Sequence, residues 1–182
     1  MIVISDTTPL RYLIEIEEVH VLEKLFGQVI IPEKVLDELQ GKKTPERVKA
    51  WIQSRPAWLE VRKADVSLFT PAIKIQDGER EAISLAIELK ANILLLDDDD
   101  ALKEARRLKL TTARLFAILE RASEESLSSL PKAIEKMRRT SFHMPPAKLI
   151  KEILERDQKR KEAEKQARKK TGKQKQTRGR KF

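Results

Sequence analysis

The sequence contains no cysteine, so a disulfide bond and a thiolate metal site are both excluded. Its two histidines, His20 and His143, lie in an apolar helical stretch and before two prolines, which favours structural roles. No apolar run approaches the roughly 20 residues that a membrane-spanning helix needs. The first residues also lack the basic and then apolar layout of a signal peptide. We therefore expect a cytoplasmic protein that does not enter a membrane.

Charge is distributed unevenly along the chain. The whole sequence carries a formal charge of +9. Residues 155–182 contain 13 Lys or Arg and four Asp or Glu, which accounts for the entire excess, and residues 1–154 are neutral overall. A partner inferred from the high net charge therefore concerns the C-terminal segment and not the rest of the chain.

Short apolar runs alternate with stretches of helical periodicity. The runs MIVIS, QVIIP and ANILLL are continuously hydrophobic, as expected for strands that are buried on both faces. This pattern predicts an α/β fold with three layers, α/β/α, around a central parallel sheet, followed by C-terminal helices. From residue 156 the apolar stripe ends and charged residues dominate, which predicts a domain at residues 1–155 and a basic, disordered tail at residues 156–182.

Acidic residues follow the strands. Asp6 ends the first run, MIVIS. The third run, ANILLL, continues directly into Asp97 and three further aspartates. In open parallel sheets, functional sites gather outside the carboxyl ends of the strands. If these two strands are neighbours, Asp6 and Asp97 lie side by side. Glu38 and Glu79 occur on helices next to other strands, so acids from four segments are expected to converge.

A cluster of carboxylates is costly because each charge raises the pKa of its neighbours, and a hard divalent cation removes that cost. Oxygen ligands without cysteine favour Mg²⁺ or Mn²⁺ and disfavour zinc. The predicted metal ligands are Asp6, Asp97, Asp98 and Asp99. The alternative is that Glu79, Glu81 and Asp98 to Asp100 are only caps and first-turn acids of the helices that follow them, where the helix dipole favours negative charge. Asp6, which ends a buried strand, is harder to explain in this way.

Four segments resemble a known family: VISDTTPL, IIPEKVLDEL, DGEREAISLA and ILLLDDDDALKEAR, in this order. In order and spacing they resemble the PIN-domain proteins of bacteria and archaea over about residues 1–155. The resemblance implies a metal-dependent ribonuclease that cleaves RNA with Mg²⁺ or Mn²⁺. It also implies a toxin of a toxin–antitoxin pair, blocked by an antitoxin protein, and a homodimer.

The resemblance also implies roles for individual residues. The catalytic acids would be Asp6, Glu38, Glu79 and Asp97. Supporting residues, in hydrogen-bonding or alternative acidic positions, would be Thr7, Thr8, Glu81, Thr111 and Thr112. Glu81 competes with Glu79 for the same role. The family usually has a glycine-containing stretch after the fourth strand, and here Ala113 stands in that region, which bears on how closely a phosphate can approach the backbone.

The basic tail predicts contact with RNA phosphates, which would make binding depend strongly on salt. The predicted nucleic-acid-binding residues are Lys169, Lys170, Lys173, Lys175, Arg178 and Arg180. Two alternatives to the nuclease remain. One is a non-catalytic nucleic-acid-binding module with the same fold, in which the acids only cap helices. The other is a phosphotransfer receiver, which is disfavoured because the sequence offers no convincing counterpart of the lysine that such a domain needs.

Overall fold

The computed structural model of the chain describes the backbone of residues 1–178 and the side chains of residues 1–167. Short strands form one sheet: β1 Val3–Ser5, β2 Val29–Pro32, β3 Leu59–Arg62, β4 Ile93–Leu95 and β5 Thr112–Ala113. Their order across the sheet is β3-β2-β1-β4-β5, and every neighbouring pair is parallel. The predicted central parallel sheet is confirmed.

Helices connect the strands and cover both faces of the sheet: α1 Thr7–Glu15, α2 His20–Phe26, α3 Glu33–Leu39, α4 Glu46–Gln53, α5 Asp77–Glu88, α6 Asp99–Arg107, α7 Leu115–Glu124, α8 Leu130–Met137 and α9 Ala147–Arg178. Within residues 1–178, no helix combines the length and the apolar character that crossing a membrane requires.

Alternate residues of β1, β2 and β4 face two separate hydrophobic cores. Val3 of β1 belongs to the core that also contains buried residues of α1, α4, α7 and α8. The next residue, Ile4, belongs to the core that contains residues of α5 and α6. β2 follows the same rule, with Ile31 in the first core and Ile30 in the second. Because side chains alternate across a strand, one apolar run serves both cores, and the three-layer prediction is confirmed.

The loop before α4 contains Thr44 and Pro45, a pair typical of a helix N-cap followed by a proline at the first helical position. In the structure, however, the helix begins at Glu46 and its N-cap is Pro45. The hydroxyl of Thr44 instead donates a hydrogen bond of 2.8 Å to the backbone oxygen of Glu38. A threonine hydroxyl can bond to backbone groups at either end of a helix, and here it bonds to a carbonyl in the last turn of α3.

The last helix, α9, crosses the predicted boundary between residues 155 and 156 without a break. Asp157 is only 6% exposed and accepts a 2.7 Å hydrogen bond from the hydroxyl of Ser123 on α7. Lys161 pairs with the same carboxylate at 2.7 Å. The prediction of disorder from residue 156 is therefore corrected: this buried acid anchors the segment, and the chain is helical to Arg178. The division into a domain and a separate tail stays a prediction.

The direction of α9 separates the predicted tail from the acidic edge of the sheet. α7 follows β5 directly, so it starts at the carboxyl edge and runs back toward the opposite edge. Arg156 pairs with Glu120 at 2.7 Å, and one residue later Asp157 contacts Ser123, so α9 and α7 advance in the same direction. The part of α9 beyond Asp157 therefore leads away from the carboxyl edge.

Candidate active site

The two strands that end in aspartate are neighbours. In the register of β1 and β4, Ser5 lies opposite Leu95. The backbone N–H of Asp6 donates a hydrogen bond of 3.0 Å to the carbonyl of Leu95. The expectation that Asp6 and Asp97 leave the sheet at the same edge is confirmed for their backbones. Their side chains, however, take different directions.

Asp6 is a buried acid. It is 3% exposed, and its carboxylate accepts a hydrogen bond of 3.4 Å from the backbone N–H of Thr8 in the first turn of α1. Burial, together with the negative charges of Glu79 and Glu38, raises the pKa of Asp6 to about 7, against the backbone hydrogen bonds of Thr7 and Thr8. Asp6 therefore lies close enough to two other acids for their charges to affect it.

Glu38 reaches this edge from α3. Its carboxylate accepts a hydrogen bond from the hydroxyl of Thr7. Its other contact is with Gly78 in the first turn of α5, where an added Cβ would lie 2.6 Å from Oε1 of Glu38. Only glycine leaves room for the carboxylate in this place. Sequence reasoning did not assign Gly78 to the site, although a glycine inside a helix, where alanine is more stable, was an available signal.

Glu79 reaches the same edge of the sheet from the first turn of α5. Its carboxylate accepts a hydrogen bond of 2.8 Å from the backbone N–H of Gln76 and so caps α5. Burial raises the pKa of Glu79, and the charges of Asp98 and Glu38 add to the increase. Its rival Glu81 accepts a 3.1 Å hydrogen bond from the backbone N–H of Lys34 and caps α3 instead. The acid that couples to Asp6 is therefore Glu79.

The four consecutive aspartates have separate partners. Asp97 accepts hydrogen bonds of 3.1 and 3.2 Å from the backbone N–H of Leu115, the first residue of α7. Asp98 caps α6, accepting from the N–H groups of Asp100 and Ala101 at 2.9 and 3.0 Å. Helix capping, the alternative raised from the sequence for Asp98, thus describes Asp98, and Asp97 binds the first N–H group of α7. The remaining pairs are Asp99 with Arg114 and Asp100 with Lys103.

In the structure, two of the predicted metal ligands, Asp97 and Asp99, are bound to other groups. Burial raises the pKa of Asp97 to about 6, and the N–H of Leu115 and the charge of Arg114 oppose that increase. Asp99 is exposed, and its hydrogen bond with Arg114 lowers its pKa. Neither side chain is among the acids that shift the pKa of Asp6, because unsatisfied helix N–H groups and an arginine hold them elsewhere. Asp98 does act on Glu79.

Thr111 and Thr112 were predicted to bring hydroxyls to the site. Within the described side chains, neither hydroxyl forms a hydrogen bond, and neither residue lines the two cavities at the acids. The carbonyl of Thr111 accepts the N–H of Leu94 at 2.9 Å, so this residue supports the sheet edge. Thr8 does line a cavity, beside Thr7.

Two cavities meet at the acids. One, of about 530 Å³, is lined by Asp6, Glu38 and Glu79 among others. The second, of about 500 Å³, is lined by Asp98 and Asp100 and again by Glu38 and Glu79. We call the shared space, bounded by Asp6, Glu38, Glu79 and Asp98, the acidic cleft. The two cavities share Glu38, Gln76 and Glu79.

The donor chemistry of the acidic cleft suits a hard divalent cation, since all its donors are carboxylate oxygens and positive charge would lower the raised pKa values of Asp6 and Glu79. As the side chains stand, no three acids or histidines in the described part of the chain are close enough together to hold a metal ion. Glu38 and Glu79 would have to turn from their hydrogen bonds with Thr7 and Gln76.

Comparison with known families identifies the fold class of the chain. Residues 2–159 match the family model DUF3368, described as a PIN domain. The chain belongs to the PIN-domain family. The match covers the sheet, the acidic cleft and the start of α9, so it confirms the resemblance drawn from the four sequence segments. A PIN domain is a nucleic-acid-related fold, and PIN domains are usually nucleases that use divalent metal ions.

A solved structure is also similar to this PIN domain. It is a PilT N-terminus domain protein from the hyperthermophilic archaeon Sulfolobus solfataricus P2, with a TM-score of 0.45 and 16% sequence identity. The similarity covers 80% of this chain and 100% of that chain. A search of curated proteins found no match.

The raised pKa of Asp6 predicts a pH-dependent stability. Because the folded pKa is about 7 and the ordinary value is 3.8, the folded protein binds this proton more tightly, so stability is lost as pH rises from about 4 through 7. Asp6→Asn cannot ionise. In EDTA, we expect it to raise the free energy of unfolding by about 2–4 kcal/mol at pH 8 relative to its effect at pH 4.

Urea unfolding at both pH values measures this difference. Asp37→Asn, which changes an exposed acid of α3, serves as the control and should show no such dependence. A gain from Asp6→Asn that is equal at the two pH values would show that Asp6 is not a buried, coupled acid.

Proposed function

We propose that this PIN domain is a metal-dependent endoribonuclease that hydrolyses RNA phosphodiester bonds. The observation that supports it most is the buried carboxyl of Asp6, whose pKa is raised to about 7 beside Glu79 and Glu38. Such crowding destabilises the folded protein, and a structural cap would not need it. Strongly perturbed acids in a cleft are typical of functional sites.

In the proposed site, Asp6, Glu38, Glu79 and Asp98 hold Mg²⁺ or Mn²⁺. The bound cation supplies two effects: it lowers the pKa of an attacking water and neutralises charge on the scissile phosphate. The protein supplies the rest. Glu79, whose carboxylate lies near those of Glu38 and Asp98, orients the attacking water. Asp97 holds the start of α7 and acts as a positioning residue.

The alternative, a non-catalytic nucleic-acid-binding PIN domain, is favoured by the capping roles of Asp97 and Asp98. The two functions differ in whether they require a bound metal ion. A ribonuclease must bind Mn²⁺ or Mg²⁺ through Asp6, and a pure binding module need not. A role as the toxin of a toxin–antitoxin pair, an antitoxin that inserts Arg or Lys into the acidic cleft, and homodimerisation stay proposals.

Calorimetric titration of Mn²⁺ and an assay on mixed single-stranded RNA test the ribonuclease. We expect Asp6→Asn to lose Mn²⁺ binding and to reduce cleavage by about 100-fold or more, because it removes the acid at the centre of the cluster. Asp97→Asn should reduce cleavage by about 10-fold, since it affects the position of α7 and not the cation directly.

Asp37→Asn is the matched control, because it removes one carboxylate from the same helix as Glu38 but on an exposed surface. It should bind Mn²⁺ and cleave RNA like the wild type. Cleavage by Asp6→Asn at the wild-type rate, or no Mn²⁺ binding by the wild type, would leave the binding module as the better function.

Gly78→Ala tests whether the place of Glu38 matters. The added methyl group would lie within 2.6 Å of the Glu38 carboxylate, which must turn away. Because alanine is the better helix former, we expect the free energy of unfolding to change by less than about 1 kcal/mol. Cleavage should nevertheless fall as far as it does in Glu38→Gln. The assay above, with urea unfolding on the same samples, measures both. Full activity in Gly78→Ala would exclude Glu38 from the site in this position.

The basic end of the chain is proposed to bind nucleic-acid phosphates, as the sequence predicted. The side chains of Lys169, Lys170, Lys173, Lys175 and Arg178 lie outside those that the structure describes, and Arg180 lies outside the described residues altogether. The helical backbone that carries the first five leads away from the carboxyl edge, so the tail would hold RNA at a distance from the acidic cleft.

Changing the four lysines from 169 to 175 to glutamine in the full chain tests this role. We expect weaker RNA binding and a salt slope smaller by about 2–3, because each phosphate contact on single strands contributes about 0.7. The matched control changes four exposed lysines elsewhere to glutamine: Lys24, Lys109, Lys132 and Lys148. Fluorescence anisotropy with labelled RNA measures the slope. Equal effects of the two variants would show that only total charge matters.

A further inference from the structure

Positively charged side chains flank the acidic cleft on both sides. The cavity that contains Asp6 is also lined by Lys42 and Lys43. The cavity that contains Asp98 is also lined by Lys74. Glu38, Gln76 and Glu79 line both cavities, whereas Lys42 and Lys43 line only the first and Lys74 lines only the second.

These three lysines differ from the other cations of the two cavities. Arg11 pairs with Glu15 at 2.7 Å, and Lys34 lies 3.8 Å from Asp77. Within the described residues, Lys42, Lys43 and Lys74 form no salt bridge, although they share cavities with carboxylates. Their ammonium groups are therefore available to an anion that enters either cavity.

The loop that carries Lys42 and Lys43 is fastened to Glu38 itself. The hydroxyl of Thr44 donates to the backbone oxygen of Glu38 at 2.8 Å, and the N–H of Gly41 donates to the same oxygen at 3.1 Å. The N–H of Thr44 also donates to the carbonyl of Gly41 at 3.0 Å. The two lysines are thus held at a fixed place relative to an acid of the cleft.

The loop that carries Lys74 is fastened on the other side. The backbone N–H of Ala72 donates a hydrogen bond of 3.1 Å to Glu104, an acid of α6 that is 2% exposed. Arg107 pairs with the same carboxylate at 2.8 Å and also donates to the backbone oxygen of Thr70 at 3.2 Å. An ion pair between the buried Glu104 and the half-exposed Arg107 therefore holds residues 70–72, two residues before Lys74.

We propose that Lys42 and Lys43 on one side, and Lys74 on the other, bind the phosphates that flank the reacting phosphodiester of a single-stranded nucleic acid. This inference rests on the proposed ribonuclease, which it deepens by giving the path of the strand. A single-stranded nucleic acid carries phosphates at regular intervals. The cation held by the acids would neutralise the reacting phosphate, and the lysines of the two cavities would contact the phosphates on either side of it. Lysines that contact phosphates position a strand without reading its sequence.

Binding of a short labelled single-stranded RNA, measured by anisotropy over a series of salt concentrations, tests the path. The measurements use the Asp6→Asn full chain in EDTA, so that binding is observed without cleavage. In this background we expect Lys42→Ala/Lys43→Ala to reduce the slope of log K against log salt by about 1.4 and Lys74→Ala to reduce it by about 0.7. Affinity should fall several-fold in both.

The matched control is Lys24→Ala/Lys132→Ala, which removes two exposed lysines that line neither cavity and form no salt bridge within the described residues. It should change the slope much less than the Lys42→Ala/Lys43→Ala variant. Equal slopes for the control and the cavity variants would overturn the path, because only total charge would then matter.

A second readout separates this inference from the ribonuclease. In Mn²⁺ and with Asp6 intact, the cavity variants should raise KM with little change in kcat, because the lysines hold the strand and not the reacting group. If the salt slopes change as expected but the protein never cleaves RNA, the ribonuclease proposal is wrong and the strand path is supported. If cleavage is normal and both the salt slopes and KM are unchanged, only the strand path is wrong.

Discussion

The arrangement of this site depends on burying the carboxyl group of Asp6 where two parallel strands end. Asp6 is fixed by its own backbone, through the N–H bond to Leu95, and by its position at the start of α1. The sheet therefore determines the position of this carboxyl group, whatever the positions of the other acids. Glu38 and Glu79 then add negative charge to a place from which water is largely excluded, and each raises the pKa of Asp6.

Helix N-termini share the same edge and compete for the same carboxylates. Asp97 is bound by the N–H of Leu115, and Asp98 by the N–H groups of α6. A helix terminus stabilises a negative charge, so capping and cation binding draw on the same chemistry. Asp98 illustrates this overlap, since it caps α6 and its charge also raises the pKa of Glu79.

Much of the fold and part of the site could be predicted from the sequence. Strands such as ANILLL are continuous apolar runs that end at a polar residue, so their type and their end at Asp6 or Asp97 are local properties. The direction of the Asp97 side chain is not local, because it depends on Leu115, which lies 18 residues further along the chain. The roles of Gly78 and Thr44 could not be predicted for the same reason, because both residues contact Glu38 from outside α3. Composition also gave no sign that Asp157 would anchor α9, since one buried acid among many charged residues leaves no pattern.

The course of α9 gives the molecule a marked separation of charge. Its basic residues leave the domain on the side away from the carboxyl edge, while Asp6, Glu38, Glu79 and Asp98 stay at that edge. Charge that is separated in this way gives a molecule an electric dipole moment, and an external field orients a dipole. Under the proposed nucleic-acid binding, α9 would therefore approach a polyanion before the acidic cleft does. A strand long enough to reach both places would gain affinity from being held twice.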